Sequence, residues 1–486
     1  VRQLSYIAVV GSFRAGGDTR TGLYYDLIAV FLCGIPIVAL LGMVVHVPFQ
    51  MLVLAMLLSI TACAAPTQSE ENAPSAAPES PAAEETADAS SADEVEPIRI
   101  GVLIPFTGGM AYQGELLKEG YDYWADYFNS RGGIKSLGGA KIELVYADHA
   151  GSAETGVTEF ERLVNVEKIH MATGIYGAAV MAAVAPLCEK YEIPFVISQC
   201  AATNILQQGY KYVFNPTYDA RTNAQGLVGL IDMIGEMYGD DVNDIAFLCE
   251  NSEWGAQQME NFKYWFEAAG KNIVFNETFE VGTADFSSII TKIKLSGAKF
   301  IVPQISAFND ATLFIRQLDE YQCDAGVFAC GGVMLVPEFL EAVGDSAEYI
   351  FSTECWSSGF LEKKGAEALE IHQGFIDQYG HPMGENQGTA WIAGVTMIAA
   401  LEAAASYNPN EIRDAIAGLN IEKDDWYMNL VPYEGIRFDM VTEDNQTNKN
   451  IYAITPCSQV IDGQWKMVWP NEMLENNPIV WPIPTE

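Results

Sequence analysis

Short apolar runs alternate with amphipathic stretches along the chain from position 98 onward. The first run, 98–104, is apolar at nearly every position and is closed by Pro105, which is typical of a parallel strand buried on both faces. The stretch after it has helical spacing, because Leu117, Tyr121 and Phe128 fall on one face. The same alternation predicts strands near 142–146, 170–173, 193–197, 245–248, 300–302 and 327–329, and helices near 153–167, 180–191, 255–269 and 309–321. Strands that alternate with such helices predict a doubly wound α/β fold, and the length of this part suggests two lobes.

Residues 388–405 are apolar nearly all round and have the composition of a membrane span. Thr389, Thr396 and Glu402 interrupt this stretch, which favours a helix buried between layers.

The part of the chain before Cys63 is hydrophobic and carries few charges. An apolar run at 51–58 ends in the small residues before Cys63, which is the pattern of a secretory signal. The sequence Ile-Thr-Ala-Cys at 60–63 resembles the bacterial lipobox, in which the cysteine is acylated. We therefore expect residues 1–63 to be a hydrophobic leader and Cys63 to be the site of lipidation.

A second apolar stretch, 27–47, is long enough to span a bilayer. No Lys or Arg lies between Tyr24 and Met51, where a signal sequence normally has a basic region. Either translation starts further along, near Met43 or Met51, or 27–47 is a transmembrane helix. Both alternatives leave the globular part outside the cytoplasm, tethered to the membrane.

Residues 64–97 contain ten Ala, five Pro and nine acidic residues, with no Lys or Arg. Low hydrophobicity together with charge of one sign cannot offset the entropy of folding, so this segment is predicted to be a disordered linker.

The formal net charge of -38 argues against a nucleic-acid partner, which needs Lys and Arg to neutralise phosphates. It favours a soluble monomer. Of the nine cysteines none forms a CxxC pair, so zinc-finger and thioredoxin sites lack their basic spacing. Cys323 and Cys330 are the pair most suited to a disulfide. The scattered histidines predict no metal site, and no cofactor is expected.

Motifs of common enzyme classes are absent from the sequence, including the Walker loop, GxSxG, HExxH and GxGxxG. His149 follows Asp148 directly after a predicted strand, where a structural role is expected. Cys200 and Ser198 have no histidine nearby in sequence, so a hydrolase is the weaker alternative.

Ligands of open α/β sheets bind outside the carboxyl ends of the strands. The segments that follow the predicted strands are 105–114, 148–152, 174–179, 198–204, 250–255, 304–309 and 330–334. They are rich in Gly, Ser, Thr, Asn and aromatic residues, which suits the binding of a small solute better than catalysis.

Several of these segments match a known family in order and spacing. They are FTGG at 106–109, FNSRGGI at 128–134, GIYG at 174–177, IPFVIS at 193–198, AATN at 201–204 and FSSII at 286–290. From position 98 to the end, the chain resembles the type I periplasmic solute-binding proteins of the branched-chain amino-acid ABC transporter family. The resemblance implies two doubly wound lobes, joined by a three-strand hinge, that close on a small solute. Lobe one is expected at 98–217 and 353–433, and lobe two at 218–352 and 434–486.

The resemblance also implies which residues face the solute. The helix start at Ala178, the backbone near Ala201 and the hydroxyl of Thr203 are expected to hold a carboxylate, although Thr203 can instead simply cap the next helix. The other expected ligand-binding residues are Tyr112, Gln113, Tyr176 and Ser198 in lobe one and Trp254, Phe308 and Gly331 in lobe two.

Three of these positions depart from the family pattern. Ala178 replaces a serine, Trp254 replaces a tyrosine, and Gly331 replaces the acid that pairs with the ligand ammonium. An amino group buried without that acid costs several kcal/mol. Glu250 or Asp310 can supply the charge from a neighbouring loop, although both are expected to be solvated.

The expected function is therefore that of the extracytoplasmic substrate-binding component of an ABC importer, not of an enzyme. Its solute is expected to be a small carboxylate or amide with a flat or apolar body, and its partners the permease and ATPase subunits. The alternatives are a ligand-sensing receptor and, less favoured, a hydrolase.

Overall fold

The computed structural model describes residues 95–484, except 202, 240, 330, 331, 336 and 442–444. The predicted leader, Cys63 and nearly all of the predicted linker lie outside the described residues, as does Cys330. The pairing of Cys323 with Cys330 therefore stays a prediction. The two lobes lie within one compact unit, Ser91–Glu486.

A five-stranded parallel sheet in the order β2-β1-β3-β4-β5 forms the centre of lobe one. Its strands are β1 (Ile98–Ile104), β2 (Ile142–Asp148), β3 (Met171–Tyr176), β4 (Phe195–Gln199) and β5 (Val213–Phe214). The helices between them are α1 (Ala111–Ser130), α2 (Ala153–Asn165), α3 (Ala178–Tyr191) and α4 (Thr203–Leu206). Six of the seven residues of β1 are buried, as the continuous apolar run predicts.

Lobe two is built on a seven-stranded sheet in the order β15-β14-β10-β9-β8-β6-β7. Its parallel strands are β6 (Asp244–Glu250), β7 (Asn272–Phe279), β8 (Phe300–Gln304), β9 (Gly326–Ala329) and β10 (Phe351–Thr353), and β14 (Cys457–Ile461) and β15 (Gln464–Trp469) join antiparallel. The helices of this lobe are α5 (Ala220–Tyr238), α6 (Glu253–Ala268), α7 (Ser287–Ser296), α8 (Phe308–Glu320) and α9 (Pro337–Val343).

After β10 the chain returns to lobe one. There it forms α10 (Leu361–Lys364), α11 (Ala366–Tyr379), α12 (Glu385–Ala404), α13 (Pro409–Ala417) and a small antiparallel sheet of β11 (Asn420–Glu422), β12 (Gly435–Val441) and β13 (Gln446–Asn450). The sequence assigns 434–486 as a whole to lobe two. In the structure β12 pairs with β11 on one side and with β13 on the other, and Phe438 of β12 packs edge-on against Phe214 of lobe one with ring centroids 5.3 Å apart.

The predicted α/β fold is confirmed, and the strands and helices named from the pattern are present within a few residues of their expected bounds. The apolar stretch at 388–405 forms most of α12, whose residues 386–401 are buried. Among the described residues no single helix is long and apolar enough to cross a membrane. The bent pair of α12 and α13, at 111° to each other, meets that test jointly by length and composition.

Three stretches of chain connect the lobes, at 215–219, 353–356 and 450–456, and together they are called the hinge here. Asn450 N donates to Asn215 O at 2.9 Å, so the first and third stretches lie side by side. Glu354 N donates to Pro456 O at 2.9 Å, which joins the second stretch to the third. The hinge is therefore a single strip bonded through its backbone.

Trp356 at the end of the second stretch is packed against Gly388 of α12. The indole is buried and its Nε1 donates to Leu430 O at 2.8 Å. A Cβ added at Gly388 would lie 2.2 Å from the indole ring. We expect Gly388→Ala to lower the free energy of unfolding by about 1–3 kcal/mol, because overpacking outweighs the roughly 1 kcal/mol that Ala gains over Gly in a helix.

Urea unfolding measures this change. Gly109→Ala is the matched control, since a Cβ there meets nothing within 4 Å. An unchanged stability of Gly388→Ala would contradict the tight packing between the hinge and α12.

Candidate solute-binding cleft

The carboxyl ends of the parallel strands in each lobe bring together the loops expected to bind solute. In lobe one, β3 ends at Tyr176 and β4 at Gln199, and these two residues are paired in register. In lobe two, β6 ends at Glu250 and β8 at Gln304. Because ligands of open α/β sheets bind beyond these ends, this edge of each sheet is the candidate site.

The N-terminus of α3 follows β3 after a single residue, Gly177. That residue has φ 113°, a conformation that glycine adopts without the strain of a Cβ, and it gives no side-chain cap to the helix. Ala178, the first helical residue, is exposed. The first N–H groups of a helix have no partner inside it, and they lie at the positive end of the helix dipole. The arrangement suits an anion at this point.

The loop between β1 and α1 is held by Asp148 at the end of β2. Its carboxylate accepts from Phe106 N at 2.8 Å and from Thr107 Oγ1 at 2.7 Å. Beyond this loop, Tyr112 is 56% exposed, and the buried Oε1 of Gln113 has no hydrogen-bond partner among the described residues. Asp148 thus has a structural role that fixes where α1 begins.

Three of the predicted residues lie between the end of β4 and the start of α4. Ser198 is fully buried and its Oγ donates to Gly174 O at 3.1 Å, so the hydroxyl is engaged within the sheet. Ala201 O accepts from Ala220 N at 3.0 Å, at the start of α5. Thr203 is half-buried and is the first residue of α4.

Glu250 and Asp310 in lobe two are buried, and the expectation that they are solvated is wrong. Glu250 is 3% exposed and accepts from Ser306 N at 2.7 Å, and Asp310 is 4% exposed and accepts from Gly282 N at 2.7 Å. The physical reason is that loops after parallel strands carry backbone N–H groups that need acceptors when they are buried. Both carboxylates are thus engaged in holding loops in place.

The remaining lobe-two predictions are less well defined. Phe308 begins α8, is half-buried and packs edge-on against Phe339 with ring centroids 6.4 Å apart. The Trp254 side chain and Gly331 lie outside the described part of the chain, so their roles stay predictions.

The sequence analysis missed a polar cluster between lobe one and the hinge. Glu385, the first residue of α12, accepts from Gln199 Nε2 at 3.0 Å and from Cys355 N at 3.1 Å. Beside it, Glu354 accepts from Ser458 Oγ at 2.9 Å. Gln199 and Glu385 are 186 positions apart, so no local pattern joins them. The one signal in the sequence that points to Glu385 is that an acid commonly occupies the first turn of a helix.

The surroundings of this cluster favour the protonated form of its two carboxyl groups. Burial, with the charge of Glu385 as a smaller contribution, raises the pKa of Glu354 to about 7. Burial also raises the pKa of Glu385. Tyr176 has a raised pKa for the same reason, to which the nearby Glu385 and Cys355 add.

The raised pKa of Glu354 predicts that the stability of the protein depends on pH. Because its pKa rises from an ordinary 4.5 to about 7 on folding, the folded state binds this proton more tightly than the unfolded state. The resulting stability is fully present below pH 4.5 and is lost as the pH rises through about 7, by up to about 3 kcal/mol.

We expect Glu354→Gln to flatten this decline in urea unfolding measured between pH 4.5 and 8. Glu370→Gln, at an exposed position of α11, is the control and should keep the wild-type slope. A wild-type slope in Glu354→Gln would show that Glu354 titrates normally.

Comparison with known proteins supports the architecture described above. The sequence model of a family described as periplasmic binding protein matches residues 97–456. The Leu/Ile/Val-binding protein homolog 7 of Brucella suis biovar 1 is 26% identical over 381 residues, which cover 77% of this chain and 92% of that protein.

Two solved structures illustrate the similarity of fold. The branched-chain amino acid transporter substrate-binding protein of Streptococcus pneumoniae, in complex with isoleucine, has a TM-score of 0.59 and 19% identity and covers 77% of this chain and 99% of that one. A solute-binding protein of an ABC transporter from Rhodopseudomonas palustris, in complex with 3,4-dihydroxybenzoic acid, has a TM-score of 0.58 and 18% identity over 76% of this chain and 96% of that one. The match over 97–456, with the two sheets and their hinge, shows that this chain belongs to the periplasmic binding protein family, whose members bind substrates and act outside the cytoplasm.

Proposed function

We propose that this chain is the substrate-binding component of an ABC importer and that it captures a small carboxylate- or amide-bearing solute between its lobes. The observation that carries the proposal is the exposed N-terminus of α3 at the carboxyl end of β3, uncapped by any side chain. Its free N–H groups and positive dipole favour an anion by about 0.3–2 kcal/mol.

The residues around this helix start give the solute its other contacts. Thr203 and the backbone near Ala201 lie on the loop after the neighbouring strand β4 and complete the carboxylate site from lobe one. Tyr112, Gln113 and Tyr176 line the same lobe, while Trp254, Phe308 and the segment around Gly331 close from lobe two. The two complexes named above contain isoleucine and 3,4-dihydroxybenzoic acid. Both are small acids, one with an aliphatic and one with an aromatic body, so the carboxylate is what they share.

The hinge supports closure of one lobe on the other. Three connections bonded side by side allow the lobes to move as bodies about one strip, a motion typical of proteins that close around a ligand.

Attachment to the membrane is the second part of the proposal. Acylated Cys63 anchors the protein, and the acidic linker at 64–97 lets the lobes reach the permease of the same membrane.

The proposed function predicts that a small acid or amide binds to the protein. In thermal unfolding against L-isoleucine, L-phenylalanine, 4-hydroxybenzoate, 3,4-dihydroxybenzoate, urea and short amides, we expect at least one compound to raise the midpoint by a few degrees. A ligand at 100 times its dissociation constant stabilises the folded state by about 2.7 kcal/mol.

Thr203→Val tests the site at the same time. Loss of a hydrogen bond to a carboxylate weakens binding about tenfold or more. Thr158→Val, at an exposed position of α2, is the control and should bind as the wild type does. No shift with any acid or amide would argue against the proposed function, and a shift that Thr203→Val leaves intact would remove Thr203 from the site.

The proposed lipid anchor at Cys63 can be tested separately. When the chain is expressed in bacteria with labelled palmitate, we expect Cys63→Ser to abolish labelling and to release the protein from the membrane fraction, because acylation at Cys63 is the attachment. Cys33→Ser, within the first apolar stretch, is the control and should keep both. Retention of the Cys63→Ser protein in the membrane would indicate that residues 27–47 hold it instead.

A further inference from the structure

A groove on the surface of lobe one lies apart from the solute cleft. It runs between α1 and α11 and has a volume of about 650 Å³. Its α1 residues begin at Tyr123, twelve positions after the helix starts near the cleft, which is about 18 Å along the axis. It is called the lobe-one groove here. Because lobe one alone forms it, its shape does not depend on how far the two lobes are closed.

The floor of the lobe-one groove is aromatic. Tyr123 and Tyr127 of α1 are 7% and 8% exposed, and Tyr127 stacks on Trp426 with ring centroids 6.0 Å apart. Gly374 of α11 lets the two helices come close, since a Cβ there would lie 2.5 Å from Oη of Tyr123. That hydroxyl donates to Ile371 O at 2.6 Å. Packing and a hydrogen bond between the helices therefore hold the floor in place.

One cation already lies on this floor. The guanidinium carbon of Arg131, at the end of α1, is 3.5 Å from the centre of the Tyr127 ring. Its Nη1 donates to Tyr127 O at 3.4 Å, and it forms no ion pair with a carboxylate of the described residues. A guanidinium over the face of an aromatic ring is attracted by the negative charge of that face. The floor thus suits a positively charged group, independently of any acid.

Four carboxylates stand at the rim above the floor without a counter-ion. All four are exposed, and they are Asp126 on α1 and Glu367, Glu370 and Asp377 on α11. Trp426 Nε1 donates to Glu367 at 2.6 Å and Gln373 Nε2 donates to Asp377 at 2.8 Å, and both donors are neutral. Within the described part of the chain no Lys or Arg forms an ion pair with any of the four. The rim therefore carries negative charge that a partner can neutralise.

The rim acids act on the floor electrostatically. Burial is the main cause that raises the pKa of Tyr123 to about 12, and Tyr127, Asp377 and Glu370 add to the rise. Burial also raises the pKa of Tyr127, with a smaller contribution from Glu367 and Glu370. The acids and the aromatic floor are thus close enough for one bound side chain to contact both.

The spread of the acids indicates what kind of cation fits. They follow α11 from Glu367 to Asp377, about 15 Å along the helix, and Asp126 lines the opposite wall. One metal ion or one ammonium group cannot reach them all. An extended peptide with basic residues at alternate positions presents a charge about every 6.8 Å, and the neutral groups of Ser130 and Gln378 suit its backbone. A second copy of this chain does not suit, because two molecules with a formal net charge of -38 repel each other.

We propose that the lobe-one groove docks a basic, extended segment of a partner protein outside the cytoplasm. The Lys and Arg side chains of that segment pair with the rim acids, and their apolar stems lie on the two tyrosines. Because the groove belongs to lobe one alone, the partner holds the protein whether the cleft is empty or filled. The inference does not depend on which solute the cleft binds.

The probe is a labelled peptide, acetyl-Arg-Ser-Arg-Ser-Arg-amide, titrated with the full-length protein in detergent and followed by fluorescence anisotropy at low ionic strength, where screening is weak. The same peptide with citrulline in place of arginine keeps the shape and loses the charge. The double variant Asp126→Asn with Asp377→Asn removes one acid from each wall. Its matched control, Glu236→Gln with Glu260→Gln, removes two exposed acids from helices of lobe two. We expect the groove variant to weaken binding about 5- to 20-fold and the control less than about twofold, since two ion pairs are lost only in the first.

Arg131→Gln tests the floor. It uncovers the Tyr127 ring and should bind the peptide several-fold more tightly than Lys263→Gln, which removes one exposed positive charge from α6. All substituted positions are exposed, and circular dichroism checks that each variant folds.

Three results would overturn the inference. The first is an equal loss in the groove and control double variants, because overall charge alone would then attract the peptide. The second is an Arg131→Gln protein that binds as Lys263→Gln does, or a citrulline peptide that binds as tightly as the arginine peptide. The third is spermidine that binds as tightly as the peptide, which would make the groove a site for small polycations instead of a docking site.

Discussion

The buried contacts that bind the three hinge stretches to one another are the constraint on which the rest of the structure depends. Lys449 on β13 is fully buried, donates to Thr217 O and lies with its Nζ 3.8 Å from Oδ2 of the equally buried Asp219. Burial alone raises the pKa of Asp219, but the charges of Lys449 and Arg221 lower it, so the group stays ionised. Removing one partner of a buried ion pair is costly, so this contact holds the first stretch to β13, which leads directly into the third.

A fixed hinge determines where the binding loops lie, and three acids then hold the loops themselves. Asp148 in lobe one and Glu250 and Asp310 in lobe two each accept from the backbone of a loop next to the cleft. Each carboxylate thus fixes the position of its loop. Glu385 at the start of α12 accepts in the same way from Gln199 Nε2 and from Cys355 N, which joins lobe one to the hinge.

The fold could be predicted from the sequence because its signals are local: a buried run such as 98–104 or an apolar face repeating through α1 needs no distant partner. The strands β12 and β13 were misassigned because short antiparallel strands give no sign of which sheet they join. For the site, the helix start at Ala178 follows from the strand–turn–helix pattern. The contact between Gln199 and Glu385 could not be predicted, because it depends on how α12 is packed across the sheet.

The charge of the whole protein bears on the kind of solute that this cleft suits. With a formal net charge of -38, the surface repels anions at long range, although salt limits the repulsion to about 8 Å at physiological ionic strength. The positive end of α3 acts only within the first turn of the helix. A simple anion must therefore approach against the field and then lie near Glu354 and Glu385. The contact at α3 must therefore offset this repulsion for a solute with a net negative charge, whereas a solute without net charge is not repelled.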